Sequence, residues 1–349
     1  MDEFATLSEY LGDWAKGEPR RDAISQVIEA IADAGGEIAA LIGQGPLAGA
    51  LGATHGDNVS GDTQKELDLR ANDILIERLA QTPVAHIFSE ELEAPYATHT
   101  PDAPFCVALD PLDGSSNIDT NVSVGTIFSV VPNRETEDGE QAHRFLQPGV
   151  NQVAAGYVIF GPQTALVLTL GAGTQIFTLD RESGAYRLTA ADVKIPVQTK
   201  EFGINASNYR HWDEHVRLYI NDCLEGAEGP RGKEFNMRWV ASLVAECHRI
   251  LSRGGVFLYP GDDRKGYESG RLRLLYEANP MAWLIEQAGG AATTGLMRVM
   301  EVEPTELHQH VPLIFGSLDE VTHIERYYSE IGMAGERSPL FGDRGLFRN

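Results

Sequence analysis

Cysteine is scarce in this chain: three residues in 349, Cys106, Cys223 and Cys247, with no CxxC pair. A sparse, odd count excludes a disulfide framework and points to a reducing, cytoplasmic compartment. Positive charge is the second shortage. Lys and Arg total 28 against 51 Asp and Glu, a formal net charge of −23. Nucleic acid is excluded as a partner, because neutralising its phosphates takes a broad basic surface. A small anion can still bind wherever cations gather locally. The start, Met1-Asp2-Glu3-Phe4, has no basic segment leading into an apolar run, so no signal peptide is expected. Charge is missing altogether from residues 151–179, a length that could span a bilayer. Gly161-Pro162-Gln163-Thr164 cuts that stretch, and Gly156, Gly171 and Gly173 punctuate it. A strand, a turn and a strand are expected there, with no membrane span.

What is present suits a folded protein: 42% hydrophobic and 23% charged residues, with length enough for about two domains. Residues 1–20 read as loose. Ile24, Val27, Ile28, Ile31, Ile38, Leu41 and Ile42 recur at helical spacing and predict an amphipathic helix over 22–43. A glycine-rich mobile loop is expected over 44–61, then a helix from near Asp62 or Asp68 to Leu79. Strands are expected at Val84–Phe88, Phe105–Leu109, Val122–Val131, in the uncharged hairpin and at Gln175–Leu179. Beyond a break at 194–202, helices (210–224, 238–252, 279–288, 318–330) alternate with strands (255–259, 271–275, 311–315). The reading is an α/β (α+β) chain with an N-terminal domain over 1–200, a C-terminal α/β domain over 201–333 and a frayed or docked tail over 334–349.

The sharpest string is Asp110-Pro111-Leu112-Asp113-Gly114-Ser115-Ser116-Asn117, directly after the apolar run Phe105–Leu109. A buried strand thus delivers Asp110 at its carboxyl end, where α/β sheets commonly place ligands. Pro111 fixes a turn that lets Asp110 and Asp113 face one space, with the Leu112 carbonyl between them. Gly114, Ser115 and Ser116 offer successive N–H groups to a phosphate. Taken alone, the string also fits an Asx turn with a helix cap. Other acidic residues stand at strand or helix ends: Glu90-Glu91, Glu277, and Asp62 with Asp68. Carboxylates that converge repel one another and need cations, for which Mg²⁺ or Mn²⁺ is suited.

Basic residues concentrate elsewhere. Residues 231–273 hold nine Lys or Arg against five Asp or Glu, a local +4. Arg231, Lys233, Arg238, Arg264, Lys265, Arg271 and Arg273 are candidates for a second phosphate site. Arg271 and Arg273, two apart on an expected strand, should face the same side. Carboxylates at one end and arginines at the other suit a small sugar carrying two phosphates.

On these strings the chain resembles the class I fructose-1,6-bisphosphatases over nearly its whole length. The matches include Gly61-Asp62 through Leu67-Asp68, Glu90-Glu91, Asp110 to Asn117, Gln147-Pro148-Gly149, Tyr259-Pro260, Leu272 to Glu277 and Asn279-Pro280-Met281-Ala282. The resemblance implies a layered α-β-α-β-α sugar-phosphatase fold, a homotetramer, and hydrolysis of the 1-phosphate of fructose 1,6-bisphosphate with two or more Mg²⁺ per subunit, Mn²⁺ being an alternative. It implies Glu90, Glu91, Asp110, the Leu112 carbonyl, Asp113 and Glu277 as metal ligands. Asp68 and Glu91 would orient and deprotonate the attacking water, and Asp62 would sit on a loop that closes over the site. Asp113, Gly114, Ser115 and Ser116 would hold the reacting phosphate. Asn205, Tyr259, Arg271 and Arg238, the last from a neighbouring subunit, would hold the sugar and its 6-phosphate.

Four departures accompany the resemblance. Asn205-Ala206-Ser207-Asn208 stands where the family more often has Asn-Glu-Gly, Trp239 where a tyrosine usually contacts the 6-phosphate, and Arg271 where lysine is usual. The family's AMP pocket is poorly matched, with Pro104, Phe105 and Pro132 in place of its lysine, tyrosine and arginine. Two other readings stay open. One is a bisphosphatase that prefers or also takes sedoheptulose 1,7-bisphosphate. The other is a non-catalytic regulator that binds sugar phosphate, which would be expected to have lost its carboxylates.

Overall fold

The computed structural model describes residues 4–57, 63–136 and 139–329. Seven α-helices lie within them: α1 Leu7–Ala15, α2 Pro19–Gln44, α3 Glu66–Leu79, α4 Glu214–Leu224, α5 Leu243–Arg253, α6 Asn279–Gln287 and α7 Leu318–Ser329. An eight-stranded sheet runs from Tyr186–Ala190 at one edge to Tyr96–Ala97 at the other. All its pairings are antiparallel except that of Val84–Ser89 with Phe105–Asp113, which is parallel. A five-stranded sheet is centred on Val256–Tyr259.

Side-chain alternation along the strands builds the layers. In the large sheet Phe128, Val158, Leu166 and Leu168 face α1, α2 and α3, while Ile127, Tyr157, Ala165 and Val167 face the opposite way, toward α5 and α6. In the small sheet Phe257 and Phe315 share that second core, and Val256, Leu258 and Ile314 pack on α4 and α7. The order is therefore helices, sheet, helices, sheet, helices. The uncharged stretch forms the hairpin Ala154–Phe160 and Thr164–Thr169, and among the described residues no helix is long and apolar enough to cross a membrane.

Three local expectations are corrected. Residues 7–15 are helical, not loose: Thr6 and Glu9 cap each other reciprocally at the start of α1. The loop after α2 is partly structured, with Thr54–Asp57 paired to Thr63–Lys65. The expected strand 271–275 shrinks to Leu272–Arg273, and Leu274–Ala278 coils into a π-turn that runs into α6. The expected closing residue Asp62 and the tail 334–349 lie outside the described residues.

Candidate active site

Strand Phe105–Asp113 is longer than its apolar run because it continues through the acidic string, and it does so irregularly. Asp110 pairs with Ile127, but Asp113 pairs with Gly125, so one extra residue is accommodated. Residues three apart on a regular strand point to opposite faces. The bulge cancels that offset and brings Asp110 and Asp113 to one side. Gly114 follows with φ +75, and a Cβ there would meet Ser242 Cβ at 3.0 Å, so the turn requires glycine. Ser115–Thr120 then forms a short 3₁₀ helix.

Asp113 is anchored as well as exposed to the cavity. Its Oδ2 accepts hydrogen bonds from Ser242 Oγ at 3.0 Å and Val244 N–H at 2.9 Å, at the start of α5. Glu277 is brought back by the π-turn, where it accepts the Arg273 N–H at 2.5 Å. Carboxylate oxygens of Asp110, Asp113 and Glu277 all lie within 4.8 Å of one another, and all three residues are buried. Glu90 joins them across Arg273, whose guanidinium is 2.9 Å from Glu90 and 3.9 Å from Glu277.

This set fits a divalent cation on its own electrostatics. Burial, then the charges of Glu90, Asp113 and Glu277, push the Asp110 carboxyl well above its ordinary range. Burial likewise raises Asp113 and Glu277. One guanidinium opposes four carboxylates, and the residual negative charge is what hard cations bind.

Glu90, Asp110, Leu112, Asp113, Gly114, Ser115, Ser116, Tyr259, Arg271 and Glu277 line a single cavity of about 330 Å³. Asp68, near the start of α3, is buried beside it. Its Oδ2 accepts the Lys65 N–H at 2.7 Å. Burial raises its pKa to about 7, with Glu91 adding to the shift and Ser115 hydrogen-bonded to its side chain. Glu91 accepts a hydrogen bond from Gln64. On the wall of the same cavity, Arg271 stacks on Tyr267, 4.8 Å from the ring centre, and bonds to Tyr259.

Besides Asp68 and Glu91, two expected residues among those described, Asn205 and Arg238, do not line the cavity. Asn205 turns inward on its own helix cap, accepting from Ser207 N–H at 3.2 Å and Oγ at 2.6 Å. Arg238 lies 3.6 Å from Glu201 and is half exposed. Arg273 is also displaced from its expected place: it serves the carboxylates rather than a second phosphate. Lys65, bonded to Asp119 at 2.7 Å, lines the cavity too and was not singled out from sequence. A lone lysine in an acidic stretch carries no spacing signal.

A two-sheet α/β frame with acidic residues and a glycine-serine turn converging at strand ends is the arrangement of the metal-dependent sugar phosphatases. The sequence profile described as "Fructose-1-6-bisphosphatase, N-terminal domain" matches residues 5–191, and that of the C-terminal domain matches residues 195–329. The chain belongs to the fructose-1,6-bisphosphatase family. It is 54% identical over 346 residues to the class 1 fructose-1,6-bisphosphatase of Rhizobium meliloti (strain 1021), covering 99% of each chain. It is 52% identical over 349 residues to that of Rhodopseudomonas palustris (strain BisB18), covering 100% of both. The crystal structure of Leishmania major fructose-1,6-bisphosphatase in holo form superposes with a TM-score of 0.86 at 34% identity, over 94% of this chain and 99% of the other.

Proposed function

We propose that this chain hydrolyses the 1-phosphate of D-fructose 1,6-bisphosphate, giving D-fructose 6-phosphate and phosphate. The observation that carries the reading is one cavity lined both by the buried carboxylates Asp110, Asp113 and Glu277 and by Arg271 with Tyr259. Glu90, Glu91, Asp110, Asp113, Glu277 and the Leu112 carbonyl would hold two or more Mg²⁺. Such ions would neutralise charge on the phosphoryl oxygens and acidify a water. The Gly114–Ser116 N–H groups orient the reacting phosphate. Asp68, with a pKa near neutrality, takes the proton of the attacking water, and Glu91 orients that water. Asp62 would close the loop over the site. The N-terminal 1–200 unit supplies most of the acidic groups, and the 201–333 unit supplies the sugar end. Arg238, half exposed and 3.6 Å from Glu201, would serve a neighbouring subunit of a homotetramer. Phosphate release from fructose 1,6-bisphosphate with and without Mg²⁺ tests the reading; no release with Mg²⁺ overturns it. Sedoheptulose 1,7-bisphosphate belongs in the same assay, because Trp239 stacks on Phe257 at 5.9 Å and offers no hydroxyl to a phosphate.

Arg271→Ala should raise KM by about 10-fold or more and change kcat less. Its phosphate lies far from the reacting bond, so its binding is common to ground and transition states, and a charge-assisted contact contributes about 1.5–3 kcal/mol. Steady-state kinetics checks this; a loss confined to kcat would contradict it.

Inhibition by AMP should be weak or absent. The start of α2, where the family binds the nucleotide phosphate, is capped by this chain's own Glu18, which accepts from Arg20 N–H at 3.2 Å and Arg21 N–H at 2.9 Å. Arg20 stacks on Phe105 and Arg21 on Trp14. Pro104 and Pro132 supply no side-chain donor. Titrating AMP against the hydrolysis rate decides the matter, and half-inhibition at micromolar AMP would refute it.

A further inference from the structure

The turns carrying Glu277 and Glu90-Glu91 are joined a second time, through residues that do not line the cavity. Tyr276 is fully buried, and its hydroxyl lies 2.8 Å from His308 Nδ1. His308 Nε2 lies 3.1 Å from the Leu92 carbonyl. Tyr276 immediately precedes Glu277, and Leu92 immediately follows Glu91. We propose that His308 is a positioning residue for the acidic cluster, its imidazole bridging these two turns and holding them at the spacing a divalent cation needs. The inference rests on the metal-site reading above.

The chemistry of the bridge is directional. A carbonyl only accepts, so Nε2 carries the proton and donates to Leu92; the neutral ring then accepts the Tyr276 hydroxyl at Nδ1. Burial pushes the His308 pKa below its ordinary value, which favours that neutral form. The bridge lies at the end of a short ladder. Leu272 pairs with Val311 and Arg273 with His310, and Leu274 N–H donates to the Gln309 carbonyl at 2.8 Å. The ladder therefore fixes His308 relative to the π-turn. On the other side, Leu92 N–H donates to the Ser89 carbonyl at 3.0 Å, and Glu91 N–H donates to Ser89 Oγ at 3.3 Å. Leu92 thus belongs to the same tight turn as the two glutamates. Arg273 joins Glu90 to Glu277 by charge; His308 joins the two turns by hydrogen bonds to the Tyr276 hydroxyl and the Leu92 carbonyl. Groups that orient metal ligands typically change affinity about 10- to 100-fold when removed.

His308 also packs on Phe88, with ring centres 4.9 Å apart, so the test must separate packing from bridging. His308→Phe keeps a ring there and deletes both hydrogen bonds. With substrate absent, binding of Mn²⁺ is followed by the electron paramagnetic resonance of the free ion. The Mn²⁺ dissociation constant of His308→Phe should rise about 10- to 100-fold. Tyr276→Phe cuts one link and should give a smaller rise, and the double variant should bind no more weakly than His308→Phe. A folded His308→Phe protein, judged by circular dichroism, that binds Mn²⁺ within twofold of the parent overturns the proposal, as do fully additive losses. If His308→Phe fails to fold, Tyr276→Phe decides on the same twofold criterion. A parent chain that binds no Mn²⁺ overturns the metal-site reading together with the bridge, whereas unchanged variants overturn the bridge alone.

Discussion

Asp110→Asn or Glu277→Gln is expected to lower kcat by about three orders of magnitude or more, since a bound cation contributes several kcal/mol to the transition state. The fold should survive, and its stability without divalent ions should be unchanged or higher. Both carboxyls are pushed up by burial and by their neighbours' charges, so they are held against their own preference. An amide of the same shape removes one of the repelling charges. The two measurements therefore move in opposite directions: activity collapses while the metal-free melting temperature holds or rises. In the parent, added Mg²⁺ should raise the melting temperature by mass action on the folded state; in either variant that rise should shrink. Near-normal turnover at saturating Mg²⁺ in either variant would show that the residue is no ligand.

The candidate site was legible wherever a run of apolar residues ended in acid. Phe105–Leu109 announced a strand, and the residues after it could be placed at its carboxyl end without coordinates. The bulge that makes Asp110 and Asp113 share a side was not legible, because alternation says nothing about where a register slips. Arg273 shows the same limit. Two-residue spacing put it beside Arg271 on a strand, yet that strand lasts only through Leu272–Arg273 before the π-turn bends Glu277 back onto it. Helix α1 was missed although its signal was present: Thr6 and Glu9 stand at capping-box spacing, and Leu7, Leu11 and Ala15 fall on one face. His308 had no signal at all, since it lies in a connection without periodicity and acts through residues distant in sequence. The layered order followed from alternation in both sheets, which is why the fold was more accessible than the wiring of its polar groups.

Glu320→Gln should destabilise the protein at neutral pH by about 3–5 kcal/mol, the usual consequence of removing one partner from a buried ion pair. Glu320, on α7, is 1% exposed. Its oxygens accept from Arg231 at 2.7 and 2.8 Å, from Lys233 Nζ at 2.9 Å and from the Tyr219 hydroxyl at 3.1 Å. Arg231 is itself enclosed, its guanidinium over the rings of Tyr219 and Phe235. An amide in place of the carboxylate would leave that cation without its countercharge beside the core that α4 and α7 form with the small sheet. Burial works to raise the Glu320 pKa, but the hydrogen bonds and charges of Arg231 and Lys233 outweigh it, and the carboxyl lies below its ordinary value of 4.5. An acid whose pKa is lowered by folding stabilises the native state above its unfolded pKa and loses that contribution as pH falls through the folded value. The parent should therefore lose this contribution as pH falls from about 4.5 through that lower value, and the gap between parent and Glu320→Gln should close over the same interval. Urea midpoints measured from pH 7 down to pH 3 test both the size and the sign. Equal midpoints at pH 7 would show that the Arg231–Glu320–Lys233 cluster contributes nothing net to the fold, and a gap that widened toward acid would reverse the assigned direction of the Glu320 shift.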